Sequence, residues 1–167
     1  MPLPVRPGRT RILWLLVAVC TAALLQGCAH LAPEGGNATS FRGVRWGAGL
    51  QDLGGMEVVE EAGDFSRAVR KGEDLRFGGA RLEQVTYQFE KGLFFAGTLK
   101  FSGEASFLAV KEELERRYGP PAIAHTQANV FSWPGEKVSV SLRYYRMSGT
   151  GEATWTYLPL ARSAEGA

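Results

Sequence analysis

Two thiols, two imidazoles and a scatter of carboxylates are all that the 167-residue sequence offers for covalent or acid–base chemistry. Of the side chains present, His30 and His125 are the imidazoles that could exchange a proton near neutral pH. His125 has no second histidine and no acid close by in sequence, so it predicts an exposed loop residue and not a catalytic base. Zinc sites require three or four well-placed nitrogen or sulfur ligands, which two imidazoles do not supply. Glu60, Glu61 and Asp64 form a small acidic group, but the ligand spacing of a calcium loop is absent. Neither a phosphate-binding G-x-x-x-x-G-K-[ST] stretch nor a nucleophile elbow occurs. The expectation is therefore no catalytic residue, no metal and no cofactor. One enzymatic alternative stays open, a small cell-envelope hydrolase, because glycosidase carboxylates converge in space and not in sequence.

The thiols point to attachment. Residues 1–11 carry Arg6, Arg9 and Arg11 with no acid, residues 12–25 are apolar except for Thr21, and Gln26, Gly27 and Cys28 close the segment. A membrane-crossing helix needs ~20 apolar residues, so this shorter stretch has the form of a secretory signal. Leu25-Gln26-Gly27-Cys28 resembles the bacterial lipobox, with Gln26 departing from the smaller residue usual there. The resemblance implies cleavage between Gly27 and Cys28 and acylation of the Cys28 thiol and the new terminus by chains such as palmitate. Each buried methylene adds ~0.8 kcal/mol, so two or three chains would hold a domain on a bilayer. Cys20 follows Val19 and would leave a stunted apolar zone, which excludes it as the attachment point. Ala29, where an acid would signal retention at the inner membrane, resembles an outer-membrane sorting position. The implied location is the cell envelope, with the protein lipid-anchored to the outer membrane and facing the periplasm.

Removal of residues 1–27 changes the charge balance. The whole chain has 19 basic and 17 acidic side chains, net +2; losing three arginines leaves 16 against 17, net −1. Nucleic-acid binding needs a clustered surplus of Lys and Arg, so it is not expected. Residues 28–40 are small, polar and broken by Pro33, Gly35 and Gly36, the composition of a flexible tether. Residues 41–160 make one domain's worth of chain, followed by a tail, 161–167, expected to be disordered.

Period and punctuation place the elements. In residues 102–121, Phe107, Val110, Leu114 and Tyr118 recur at helical spacing, while Gly119 and Pro120-Pro121 stop the run. This predicts one strong amphipathic helix over 104–118, with Glu112–Arg116 and Glu113–Arg117 as pairs on its solvated face. Residues 46–53 suggest a weak short helix opposed by Gly47 and Gly49. Val85, Tyr87 and Phe89 alternate with polar residues, and residues 93–101 return with Phe95, Leu99 and Phe101 on one side. Residues 56–60, 65–70, 130–133, 138–144 and 153–158 are further strands. The sum is an α+β fold, a helix on an antiparallel sheet, with a hint of a tandem helix-plus-three-strand repeat. Tyr118-Gly119-Pro120, Trp133 and the 138–142 strand resemble the small modules of the outer-membrane assembly lipoprotein BamE and of β-lactamase-inhibitor-like domains. That resemblance implies a protein-binding role in the envelope.

Two surface features carry the remaining expectations. Arg67, Arg70, Lys71, Arg76 and Arg81 form the densest basic stretch, interrupted by Glu73 and Asp74. Such a stretch could hold phosphate or anionic headgroups, but a charged hairpin edge that resists sheet-to-sheet association explains it too, and the edge reading is preferred. Among the aromatics, Trp46, Trp133, Trp155 and Tyr157 are expected in core or rim packing. Phe94 and Tyr145 fall on outward faces and are the expected binding patch. The leading expectation is a non-catalytic, membrane-anchored envelope lipoprotein that binds an envelope protein partner.

Overall fold

A computed structural model describes residues 38–165, so Gly27, Cys28, His30 and the signal segment lie outside the described residues. Strands hold about half of the described residues and helices about a fifth. The α+β expectation is therefore corrected: this is a mostly β domain, built on one eight-stranded antiparallel sheet.

The chain begins with a tight hairpin, β1 (Ser40–Phe41) and β2 (Val44–Arg45). Arg42 and Gly43 form its turn, both with positive φ, as a two-residue connection between right-twisted strands requires. A three-residue 3-10 turn, Leu50–Asp52, replaces the helix expected over 46–53. Two observations explain the loss: Gly47 sits at φ +78°, and Gly49 bridges to Leu93 at the sheet. There follow β3 (Met56–Ala62), β4 (Phe65–Arg70), a miniature hairpin of β5 (Arg76–Phe77) and β6 (Ala80–Arg81), then β7 (Gln84–Glu90) and β8 (Leu93–Ser102). Helix α1 (Glu104–Tyr118) leads to β9 (Ile123–His125), β10 (Val130–Trp133), β11 (Val138–Tyr145) and β12 (Thr150–Tyr157). A second helix, α2 (Leu158–Glu165), occupies most of the stretch expected to be a disordered tail. Its Pro159 near the start, with its fixed φ, favours helix entry.

The strand order is β3-β4-β7-β8-β12-β11-β10-β9. Two four-stranded meanders thus meet at their last strands, with Ala96–Ser102 pairing against Thr150–Thr156. The expected helix-plus-strands repeat fails because only the second meander is preceded by a helix.

One face of the sheet, the front, carries the core. Tyr87, Phe89, Leu99, Phe101, Val140, Leu142, Ala153 and Trp155 all lie on it, buried. Helix α1 covers part of this face with Phe107, Val110 and Leu114, and Phe107 stacks on Tyr144 at 4.9 Å. The β1–β2 hairpin covers another part by laying Phe41 over Gly97. A methyl group at Gly97 would fall 2.3 Å from that ring, so only glycine admits the approach. Every residue of this core lies between Phe41 and Trp155, so the described segment carries its own hydrophobic interior.

Phe94 requires a second correction. It is fully buried, at 0% exposure, and cannot be part of a binding patch. The pairing between β7 and β8 shifts between Gln88 and Phe89: Phe89 faces Phe94, but Gln88 faces Ala96. The extra residue, Phe95, is a β-bulge that reverses the alternation. Phe94 therefore joins Leu99 and Phe101 on the front face, stacked on Trp46 at 4.8 Å.

Candidate functional site

A cleft of about 740 Å³ opens where the β1–β2 turn, the loop after β4, the β5–β6 hairpin and the end of α1 meet on the front side. Phe41, Leu99 and Trp155 lie at its apolar side; Arg42, Arg70, Glu73, Asp74, Arg76 and Arg117 supply its charge. Each wall has a local cause. Gly119, at φ +78°, ends α1 directly after Tyr118. Trp155 Nε1 donates to the Tyr118 hydroxyl at 2.8 Å, which fixes both aromatics at the wall. Arg117 stacks 4.7 Å above the Phe77 ring and donates through Nε to Glu113 at 2.6 Å.

At the heart of the cleft is an ionic clasp. Glu73, 7% exposed, accepts from Arg42 Nε at 2.8 Å, from Arg70 Nε at 2.8 Å and from the Tyr87 hydroxyl. Arg42 uses its other nitrogens on the carbonyls of Arg76 (3.2 Å) and Asp74. Four separate elements are tied together in this way, and the left-handed turn residue Arg42 is pinned by its own side chain. Burial alone would raise the Glu73 carboxyl, but the hydrogen bonds from Arg70, Tyr87 and Arg42 outweigh it and hold the group below the ordinary carboxylate range. Burial, followed by the bond to Glu73, pushes the Tyr87 phenol up, so it stays a donor at neutral pH. On α1, Arg116 and then Arg117 draw the Glu113 carboxyl down to about 2 against a smaller opposing effect of burial. Arg116 and Arg117 both bond to this one acid, where one pair each had been expected for Glu112 and Glu113.

The acids flagged in the sequence do not converge. Glu60 is bonded to Arg67 on the opposite strand, and edge strand β3 exposes Glu57, Glu60 and Glu61. The charged sheet edge is thus acidic. Arg76 and Arg81 lie on the separate two-stranded β5–β6 hairpin, whereas Arg67 and Arg70 lie on β4, one strand in from the sheet edge, where the hairpin-edge reading does not hold. His125 is exposed on β9, the opposite edge. No group of three or more potential metal ligands exists among the described residues.

The back of the sheet is a different surface. Ser132, Ser141, Thr154, Thr98 and Thr86 are successive partners across five strands and form a row of hydroxyls. Thr98 Oγ1 bonds to Thr154 Oγ1 and accepts from Gln88 Nε2, each at 3.0 Å. Helix α2 lies across β7, β8 and β12, where Thr86 and Thr98 are buried. Beyond it, Tyr145 is 44% exposed and joins Arg143 (3.2 Å) and Glu152 (3.3 Å) through its hydroxyl. Of the two residues expected to form a patch, only Tyr145 is on the surface.

Sequence reasoning missed the clasp, since Arg42, Glu73 and Tyr87 are far apart in the chain. The available signal was a single glutamate set among arginines, three residues after Arg70. No family model, curated protein or solved structure matches the chain.

Proposed function

We propose that the chain is an envelope lipoprotein, anchored through acylated Cys28, whose folded domain binds another envelope component, a protein partner, and performs no catalysis. The observation that carries this reading is the saturation of Glu73 by three donors. A glycosidase-type acid must hold its proton near the working pH; Glu73 is drawn the other way. Glu73 is thus unsuited to the proton-donating role, and its oxygens are already engaged by Arg42, Arg70 and Tyr87, which favours binding over hydrolysis in this reading. Among the described residues no helix is long and apolar enough to cross a membrane, which is compatible with attachment through the thiol. The exposed Tyr145–Arg143–Glu152 group offers the partner an aromatic ring framed by two charges, on the face opposite the cleft. Placement at the outer membrane, facing the periplasm, belongs to the same proposal and rests on Ala29.

Crosslinking of the anchored protein in envelopes tests it. One reproducible protein partner is expected, recovered less well with Tyr145→Ala. No reproducible partner, together with hydrolysis of cell-wall material by the purified protein, reverses the assignment. Cys28→Ser is expected to remove the lipid mass and the membrane partitioning.

A further inference from the structure

We infer that the β5–β6 hairpin and the adjoining cleft form an oxyanion site for the phosphate of anionic membrane-lipid headgroups, so that the domain lies against the bilayer entered by its own anchor. This rests on the lipid-anchored reading above and adds an orientation to it.

The arginine pair on the hairpin is the starting point. Arg76 and Arg81 are direct cross-strand partners, while Phe77 and Ala80 between them are buried. Both arginines are exposed. Directly opposed residues stand ~4.5–5.5 Å apart at Cβ, and like charges there repel. Among the described residues neither guanidinium has a hydrogen-bond acceptor or an acid. An oxyanion seated between them would satisfy both, and guanidinium geometry suits phosphate.

The cleft extends the same chemistry. It is lined by Arg42, Arg70, Arg76 and Arg117, four basic residues, against the two acids Glu73 and Asp74. Arg117 commits only Nε to Glu113, which leaves its terminal nitrogens for a ligand. This excess of positive charge stands on a chain that is net −1 once residues 1–27 are removed, so the field is local and directional.

Chain connectivity selects lipid over soluble phosphate. Ala38 lines the cleft, and it is only ten positions along the chain from Cys28. Ten residues reach at most ~35 Å even when fully extended. A cleft so near the acylation point operates within reach of headgroups at all times.

The test uses the chain from residue 28 onward with Cys28→Ser, so that no acyl chain contributes; the buried cluster of the described residues, Phe41 to Trp155, is kept whole. Sedimentation with phosphatidylglycerol vesicles at low salt is expected to show binding that phosphatidylcholine vesicles do not. Arg76→Gln with Arg81→Gln should weaken it about 25-fold, roughly fivefold per arginine, with the circular dichroism spectrum unchanged. Lys100→Gln with Lys137→Gln, an equal charge change elsewhere, should leave binding within about twofold. The inference is overturned by absence of binding to the anionic vesicles, by equal losses in the two double variants, or by displacement with millimolar inorganic phosphate, which would assign a soluble ligand. The anchor is tested separately by the mass and partitioning of Cys28→Ser in cells, so either idea can fail alone.

Discussion

Along β8, Phe94, Leu99 and Phe101 face forward into aromatic packing, while Ala96, Thr98 and Lys100 face back toward hydroxyls and charges. The same contrast runs across the sheet: Trp133, Val140 and Trp155 are in front, and Ser132, Ser141 and Thr154 behind. The front is a fitted interior in which ring, notch and clasp depend on one another. The back is a hydrogen-bonded surface made of short side chains. Stability therefore concentrates on one side and freedom to interact on the other.

Substitutions should separate the faces by size of effect. Phe94→Ala removes a ring packed among Phe41, Trp46, Tyr87 and Phe89 and should cost about 3–5 kcal/mol in urea unfolding. A loss below about 1 kcal/mol would place Phe94 at the surface after all. Glu73→Gln comes next, at about 2–3 kcal/mol, because Arg42 and Arg70 lose their shared partner in a half-buried setting. Thr98→Val, behind the sheet, should cost about 1 kcal/mol by breaking the link from Gln88 to Thr154. Tyr145→Ala should change stability by no more than about 0.5 kcal/mol and yet reduce crosslinking to the partner. If its stability effect exceeded that of Thr98→Val, the division between the faces would be wrong.

Acid sharpens the contrast further. Glu113 and Glu73 both have carboxyls held below their ordinary values, so each stabilises the fold above the unfolded-state value and loses that contribution as pH falls. For Glu113 the loss spans the window from about 4.5 down to about 2. Urea midpoints measured through that window should fall in the wild type, and less steeply in Glu113→Gln. Equal slopes would mean that Arg116 and Arg117 do not engage the acid in solution.

Local pattern made some of this legible and left the rest hidden. The helix over 104–118 carries its own apolar stripe and its own stop at Gly119, so it needed no tertiary information. Strands 65–70 and 130–133 are similarly bounded by their own punctuation. The face of Phe94 was not legible, because one bulged residue inverts an alternation without altering composition. The hairpins at 40–45 and 76–81 offer two residues per strand, too few for any period to register. Nor does alternation name a strand's neighbour, so the union of β8 with β12 across some fifty residues was invisible, and with it the single large sheet. The clasp was hidden for the same reason: Arg42 and Glu73 are 31 positions apart.

Strand β12 is the last strand in chain order among the described residues, yet it is fifth of eight in the sheet, between β8 and β11. Until it arrives, a growing polypeptide holds two ribbons with no strand pairing between them, and pairings of such long range form slowly. For a chain bound for export, as proposed above, late closure has a use: the polypeptide stays threadable until β12 has been made. Deleting β12, Thr150–Tyr157, should remove cooperative folding of the whole sheet, because β8 and β11 both lose the partner between them.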